Sequence, residues 1–386
     1  MHSQAAMGGR LSWGVGLAVG MGVTTAVGVW AWKALHGRVF KWEEVGILDQ
    51  LVIYPLKSAR GVSVPSATAR RHGLAKDHLQ DRSFMVIRED GSFISGRHAG
   101  SLMTVSVTLE AHDQLTLHAP DGSDIQVDLD GVTRKAAVVE ARMWGKDVKG
   151  IDCGDEVAEW LTRILFDGET KVRLLYKGNV MEDRPANSPQ YFTFPQFQKT
   201  DRMYYADTCA YLVATAPSLQ DLNARLQEPV PMSCFRPNLV IECDTPFDED
   251  DWAFLKIGEV VMRRLKPCER GVRKVVMSKR KSVKGGVIKR GMRKMMIMRK
   301  RRHAYDGVLR KLRNHEEGGV IRKRRHEVGE VMRKYRVPKE PEKLAKLWKN
   351  KPIFGVNMAT ESTGELCKGD IVYVARLSAH PWFRSA

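Results

Sequence analysis

The chain has 386 residues, 43% of them apolar and 28% charged, enough to bury one large core or two of medium size and unlike a disordered protein. A formal net charge of +18 would point to nucleic acid or an anionic membrane, but residues 272–333 hold 22 Lys and Arg against 5 Asp and Glu, so the rest is close to neutral. Six scattered cysteines (Cys153, Cys209, Cys234, Cys243, Cys268, Cys367) form no CxxC pair, which argues against a zinc ribbon or a disulfide-stapled secreted domain and fits a reducing compartment.

After a ten-residue N-terminal tail, Leu11 to Trp32 run 22 residues without a charge, long enough to cross a bilayer as a helix. With its flanks, 11–35 reads as an uncleaved transmembrane anchor. Trp30 and Trp32 suit the interface, and Lys33, Arg38 and Lys41 after the span place the larger part of the chain in the cytosol. "VGILDQLVIYPLKSARGV" then reads as a strand and turn. It is followed by strand patterns in "SFMVIRED", "LMTVSVTLE", "QLTLHAP", "DIQVDL" and "KAAVVEARMW", separated by turn pairs such as Asp90-Gly91 and Asp121-Gly122. Helices are few. "DEVAEWLTRIL" puts Val157, Trp160, Leu161 and Leu165 on one face, and "SLQDLNARL" is expected to start with Ser218 as its cap. The pattern is that of a β-rich α+β protein, with a boundary near "EDRPANSPQ" and a final hairpin in "GELCKGDIVYVARL".

Residues 272–333 have another character. Up to Met332 the segment lacks Pro, Phe, Trp, Thr, Gln and Cys, and "GGVIKR" at 285–290 returns as "GGVIRKR" at 318–324. Translated non-coding sequence, purine-rich and read in frame, accounts for this bias. The competing account is a basic insertion that contacts RNA or anionic lipid through phosphates. Tyr305 alone offers an aromatic ring for base stacking, so nucleic acid is not an expected partner.

"IYPLKSARG" (53–61), "FRPNLVI" (235–241) and "FGVNMAT…GELCKGDIVYV" (354–374), with "LQDRSFMVIREDGSFISGR", "CGDEVAEWLTRIL", "DTCAYLVATAPSLQDLNARL" and "FDEDDWAFLKIGEV", resemble in order and spacing the MOSC family. Within it they are most similar to the mitochondrial amidoxime-reducing components. The resemblance implies a MOSC N-terminal, β-barrel-like domain over 44–185 and a MOSC β-barrel domain over 186–386, the latter interrupted at 272–333. It implies a molybdenum cofactor (molybdopterin), whose phosphate calls for fixed cations and backbone donors. The matching positions are Lys57, Ser58, Arg82, Thr208, Cys209, Arg236, Asn238 and Asn357.

The implied activity is reduction of amidoximes and hydroxylamines, with electrons from cytochrome b5 and its NADH-dependent reductase, at the mitochondrial outer membrane. Two departures stand out. Ala59 replaces the cysteine that usually follows the Lys-Ser. In "CERG", Gly271 stands where the family has the thiolate that ligates the metal, and Cys268 could replace it only by a slide of the loop. The chain as it stands is therefore expected to be impaired. Two other classes stay open: a cofactor or sulfur carrier of the molybdenum-cofactor sulfurase type, and a non-enzymatic, membrane-anchored basic adaptor for RNA or anionic lipid. The sequence fixes neither the substrate nor an oligomeric state.

Overall fold

The computed structural model describes residues 41–110, 114–186, 196–269, 327–337 and 351–377. Seven strands close on themselves in the order Leu239–Cys243, Tyr211–Thr215, Ile353–Thr360, Val260–Glu269, Trp252–Ile257, Ile371–Arg376 and Glu43–Ile53, the last returning to pair with the first. All neighbours are antiparallel except Tyr211–Thr215 beside Leu239–Cys243. Closure removes the unpaired edges that an open sheet would present. Its interior is apolar, with Leu48, Leu51, Trp252, Leu255, Val356, Met358 and Val374 at most 1% exposed. At Gly46 the first and last staves approach so closely that a Cβ would fall 1.9 Å from the Glu242 carbonyl oxygen.

The stave Glu43–Ile53, the first in the chain, serves two partners besides Leu239–Cys243. Its Glu43–Ile47 end pairs with Ile371–Val374, and its Leu51–Ile53 end pairs with Val62–Val64. The chain then enters a four-stranded sheet ordered Val138–Met143, Lys146–Asp152, Val172–Tyr176, Phe84–Arg88, and a three-stranded meander of Ser106–Glu110, Gln114–His118 and Asp124–Asp128. The helix Asp155–Phe166 buries Val157, Trp160, Leu161 and Leu165 in the core these sheets share, as the 3.6-residue spacing predicts. Asp155 and Glu156 occupy its first turn, where carboxylates favour the helix dipole.

Two expectations need correction. "GELCKGDIVYVARL" is not a hairpin: Gly364–Cys367 pairs with Ser66–Arg70, while Ile371–Arg376 enters the barrel. Alternating apolar residues announce strands but do not choose their partners. Ser218 does not cap its helix, which spans Ala216–Asn223 after Thr215. Its hydroxyl instead accepts the Phe247 N–H at 2.7 Å and meets the buried Glu249 carboxyl at 2.9 Å. The end of the basic segment is helical. A helix over 327–335 buries Met332 completely and packs Val328 and Val331 against Phe235, Phe354, Leu222 and Val230. Val328, Val331, Met332 and Tyr335 form one helical face that the surrounding lysines and arginines obscure. Arg336 continues the seat, pairing with Asp250 at 2.7 Å and lying 3.8 Å from the Phe247 ring centroid. The anchor at 11–35 and the rest of the basic segment lie outside the described residues. Among the described residues no helix is long and apolar enough to cross a membrane.

Glu249 is fully buried beside this seat. Thr215 Oγ1, Ser218 Oγ and a Glu249 carboxyl oxygen form a triangle of hydrogen bonds at 2.5, 2.9 and 2.9 Å. Two hydroxyl protons serve these three contacts by sharing, and a proton on the carboxyl would complete the triangle. Burial, then the neighbouring Asp250, push the Glu249 pKa up to about 7 from 4.5. Asp248 and Asp251 share its turn, and Arg264 donates to the backbone carbonyls of Glu249 and Asp250, at 2.9 and 2.7 Å.

Two outcomes are expected. Met332→Ala costs about 2–5 kcal/mol in urea unfolding, because the cavity sits among rigid rings; a loss below half a kcal/mol would mean that the helix does not carry that cluster. The folded state keeps the Glu249 proton that the unfolded chain has lost. Stability therefore falls as pH rises from about 4.5 to about 7, and Glu249→Gln flattens that slope in urea midpoints. An unchanged slope in the variant would remove Glu249 as its source.

Candidate functional site

Where the first stave ends, the backbone of Tyr54–Lys57 is stitched to Arg82–Phe84. Arg82 N–H donates to the Tyr54 carbonyl at 2.7 Å, Phe84 N–H to that of Pro55 at 3.0 Å, and Lys57 N–H to that of Phe84 at 2.8 Å. The barrel and the four-stranded sheet meet here. Ser58, Arg82 and Arg236 all have left-handed backbones, with φ of 72°, 49° and 59°. Non-glycine residues hold such conformations where the surroundings enforce them, and they gather at binding sites.

The Tyr54 ring, 2% exposed, carries two guanidiniums, that of Arg236 at 4.2 Å and that of Arg82 at 4.7 Å from its centroid. Arg82 bonds to Asp81 and donates to Asn238 Oδ1 at 3.0 Å. Asp81 also accepts from the Tyr54 N–H and from Asn238 Nδ2, both at 2.9 Å. Asn238 is completely buried and further accepts the Leu212 N–H at 3.2 Å. Burial works against the charge of Arg82, and the attraction of Asp81 outweighs it, so its pKa moves up. Among the described residues Arg236 has no such partner. Its guanidinium donates to the neutral Ala59 carbonyl, and burial, followed by repulsion from Arg82, lowers its pKa to about 10.

Lys57, 4% exposed, donates from Nζ to the Tyr205 carbonyl at 2.9 Å and to Asp207 Oδ1. Burial depresses its pKa, Asp207 partly restores it, and the charges of Arg184 and Arg82 depress it further. Burial would raise the Asp207 pKa, but Lys57 and a 2.9 Å hydrogen bond from Trp144 Nε1–H hold it at about 2. Arg184 donates to the carbonyls of Tyr204 and Ala206, and burial lowers its pKa to about 10.

Beyond Asp207 the chain passes half-buried Thr208 to buried Cys209, whose thiol contacts Asn357 Oδ1 at 3.3 Å. Asn357 Nδ2 in turn donates to the Pro267 carbonyl at 3.3 Å. Next to Pro267, Cys268 lies at an irregularity of strand Val260–Glu269, where the register to Ile353–Thr360 shifts. Burial, then the proximity of Cys268, push the Cys209 thiol up to about 12, so it is a neutral donor and not a thiolate.

The tertiary structure thus gathers the expected residues into two adjoining sets. Arg82 and Arg236 lie on the Tyr54 ring, Asn238 joins Arg82 and Asp81, and Lys57 and Ser58 follow Tyr54 in the chain; Cys209 and Asn357 meet beside Pro267 and Cys268. Gly271 lies outside the described residues. Among the described residues no group of three His, Cys, Asp or Glu side chains is placed to hold a metal on its own. Asp81, Asp207, Tyr54, Arg184 and Trp144 belong to the constellation but were not singled out from sequence. Asp81 and Tyr54 each abut a recognised motif, whereas Arg184 and Trp144 carry no local signal.

The architecture is that of a MOSC protein. The MOSC N-terminal beta barrel domain matches residues 45–167, and the MOSC domain matches residues 200–309. Mitochondrial amidoxime reducing component 2 of Bos taurus is 33% identical over 344 residues, covering 89% of this chain and 88% of that protein. Mitochondrial amidoxime-reducing component 1 of Xenopus laevis is 28% identical, covering 92% and 90%, and that of Danio rerio is 37% identical, covering 61% and 72%. The chain belongs to the MOSC-domain family that contains the mitochondrial amidoxime-reducing components.

Asp81→Asn is expected to cost about 3–5 kcal/mol in denaturant unfolding, because it leaves Arg82 buried without its counter-charge. A loss under 1 kcal/mol would show that solvent, not Asp81, balances Arg82.

Proposed function

We propose that this chain binds a molybdenum cofactor and belongs, by descent, to the reductases of N-hydroxylated compounds. The observation that carries the reading is the Arg236–Tyr54–Arg82 stack. It presents two partly buried guanidiniums, one of which, Arg236, donates to a neutral carbonyl, pairs with no anionic counter-charge among the described residues, and is made less basic by burial and by Arg82. A phosphate supplies that charge, and guanidiniums match its geometry. Lys57 and the left-handed turn at Ser58 adjoin the same stack.

Arg236, Arg82 and Lys57 would hold the phosphate and the polar rim of the pterin, with Asn238 keeping Arg82 aimed. Asn357, Thr208 and Cys209 would line the side next to Cys268. When bound, the cofactor supplies a two-electron centre able to take an oxygen from an N–OH group, which leaves as water. Cys209 is a protonated thiol and offers no thiolate, and Gly271 has no side chain, so Cys268 is the remaining cysteine at that end. Loss of the expected ligand is why we infer impaired turnover. Electrons would come from cytochrome b5 and its NADH-dependent reductase, and residues 11–35 would anchor the protein at the mitochondrial outer membrane.

The test is pterin and molybdenum content after expression in a host that makes the cofactor. The full chain should retain pterin, and Arg236→Ala should retain about tenfold less, the loss of one charge-assisted contact. A chain free of pterin would refute cofactor binding. Benzamidoxime reduction with cytochrome b5, its reductase and NADH should be near background in the full chain and rise in Gly271→Cys. Full activity without that change would refute the impairment.

A further inference from the structure

We propose that Trp144 is the platform on which an aromatic N-hydroxylated substrate stacks at the entrance to the cofactor site. The inference deepens the cofactor reading and rests on it for the identity of the substrate.

Trp144 and Gly145 are the two central residues of a tight hairpin, between the paired residues Met143 and Lys146. Both are left-handed, with φ of 54° and 77°. Such a turn favours Asn-Gly, and a bulky residue in its first central position is an outlier that local structure does not call for. Strain of this kind marks positions kept for another reason.

The side chain is also in an unfavourable place for stability. It is 47% exposed, one of the few large apolar side chains left in solvent among the described residues. Yet it does not hang free. Its Nε1–H donates at 2.9 Å to Asp207 Oδ1, the same oxygen that Lys57 Nζ engages. Its ring meets Phe93 at 5.0 Å between centroids, tilted by 57° and so not stacked, and Arg97 lies 5.9 Å from its centroid. Held by one edge and tilted against one neighbour, the indole is fixed in orientation while much of its surface faces water.

Depth separates the possible occupants. Lys57 is buried, whereas Asp207 and Trp144 are both about half-exposed. The residues assigned to the cofactor, Arg236, Arg82 and Asn238, lie at the buried end of this series. A flat group that meets the indole therefore arrives from solvent, and the conjugated ring of an aromatic amidoxime fits, with its polar C=N–OH end directed inward past Asp207. An aliphatic amidoxime has no ring to stack. Aromatic stacking thus predicts a preference of about tenfold for the aromatic compound.

The experiment titrates benzamidoxime and acetamidoxime into the full-length protein by calorimetry or saturation-transfer NMR, with pterin content and thermal midpoint measured on each sample. Trp144→Asn relaxes the turn and removes the ring. It should melt no lower than the parent, retain the parent's pterin content, and bind benzamidoxime about tenfold more weakly, with acetamidoxime unchanged. Trp144→Phe keeps a ring without the Asp207 hydrogen bond and should recover most of the benzamidoxime affinity. Unchanged benzamidoxime binding in Trp144→Asn would overturn the proposal. A melting point several degrees lower would also overturn it, by assigning the indole a structural role, and loss of pterin with the ring would assign it to the cofactor. If the parent itself carries no pterin, the cofactor reading fails separately. The platform would still stand or fall by whether benzamidoxime binding depends on the ring at 144.

Discussion

Asp81 organises the molecule. Its carboxylate is nearly inaccessible to water and receives Arg82, the Asn238 amide and the Tyr54 backbone in one cluster. These three come from a turn, a strand start and the end of the first barrel stave, so a single acceptor ties the barrel to the sheet beside it. Taking a carboxylate out of water is costly, and the cost is offset only because every donor converges on it. The same convergence fixes Arg82 and aligns the Tyr54 ring, on which Arg236 then rests. The anion-seeking face of the site is a by-product of the way the fold satisfies one buried charge.

The strand that ends in Cys268 and Glu269 leads into residues 270–326, which lie outside the described residues. The helix over 327–335 belongs to the core: Met332 enters a cluster of Phe235, Phe354 and Leu222, while Arg336 and Tyr335 grip Phe247. Phe235 stacks on Phe354 at 3.8 Å and immediately precedes Arg236. The return of the chain after the basic segment therefore supports the same loop that presents the Arg236 guanidinium. Whatever occupies 270–326, its C-terminal attachment is part of the body's core.

Much of the fold was readable from residue order. Alternation located the strands of the N-terminal half, and the spacing of Val157, Trp160, Leu161 and Leu165 located the long helix, because both patterns are local consequences of one buried face. The family motifs nominated Lys57, Ser58, Arg82, Arg236 and Asn238, of which the structure sets Arg82 and Arg236 on the Tyr54 ring with Asn238 joined to Arg82. What resisted was partner choice. The strands of "GELCKGDIVYVARL" go to different sheets, and Ser218 serves Glu249 and Phe247 across the barrel end instead of its own helix. The helix over 327–335 was hidden because its apolar stripe is set in a run dominated by charge.

The sequence by itself determined that this is a β-rich member of the MOSC-domain family, that its surplus charge lies in one segment, and that glycine stands at 271. These are properties of composition, period and motif, which need no knowledge of distant contacts. Only the tertiary structure decided that, among the described residues, Arg236 meets a neutral carbonyl while Arg82 meets a carboxylate, that Cys209 is a protonated thiol, and that Trp144 shares an oxygen with Lys57. Each depends on which groups burial leaves within a few ångströms of one another. That is set by barrel closure between staves nearly 200 residues apart, where local sequence carries no information about the neighbour.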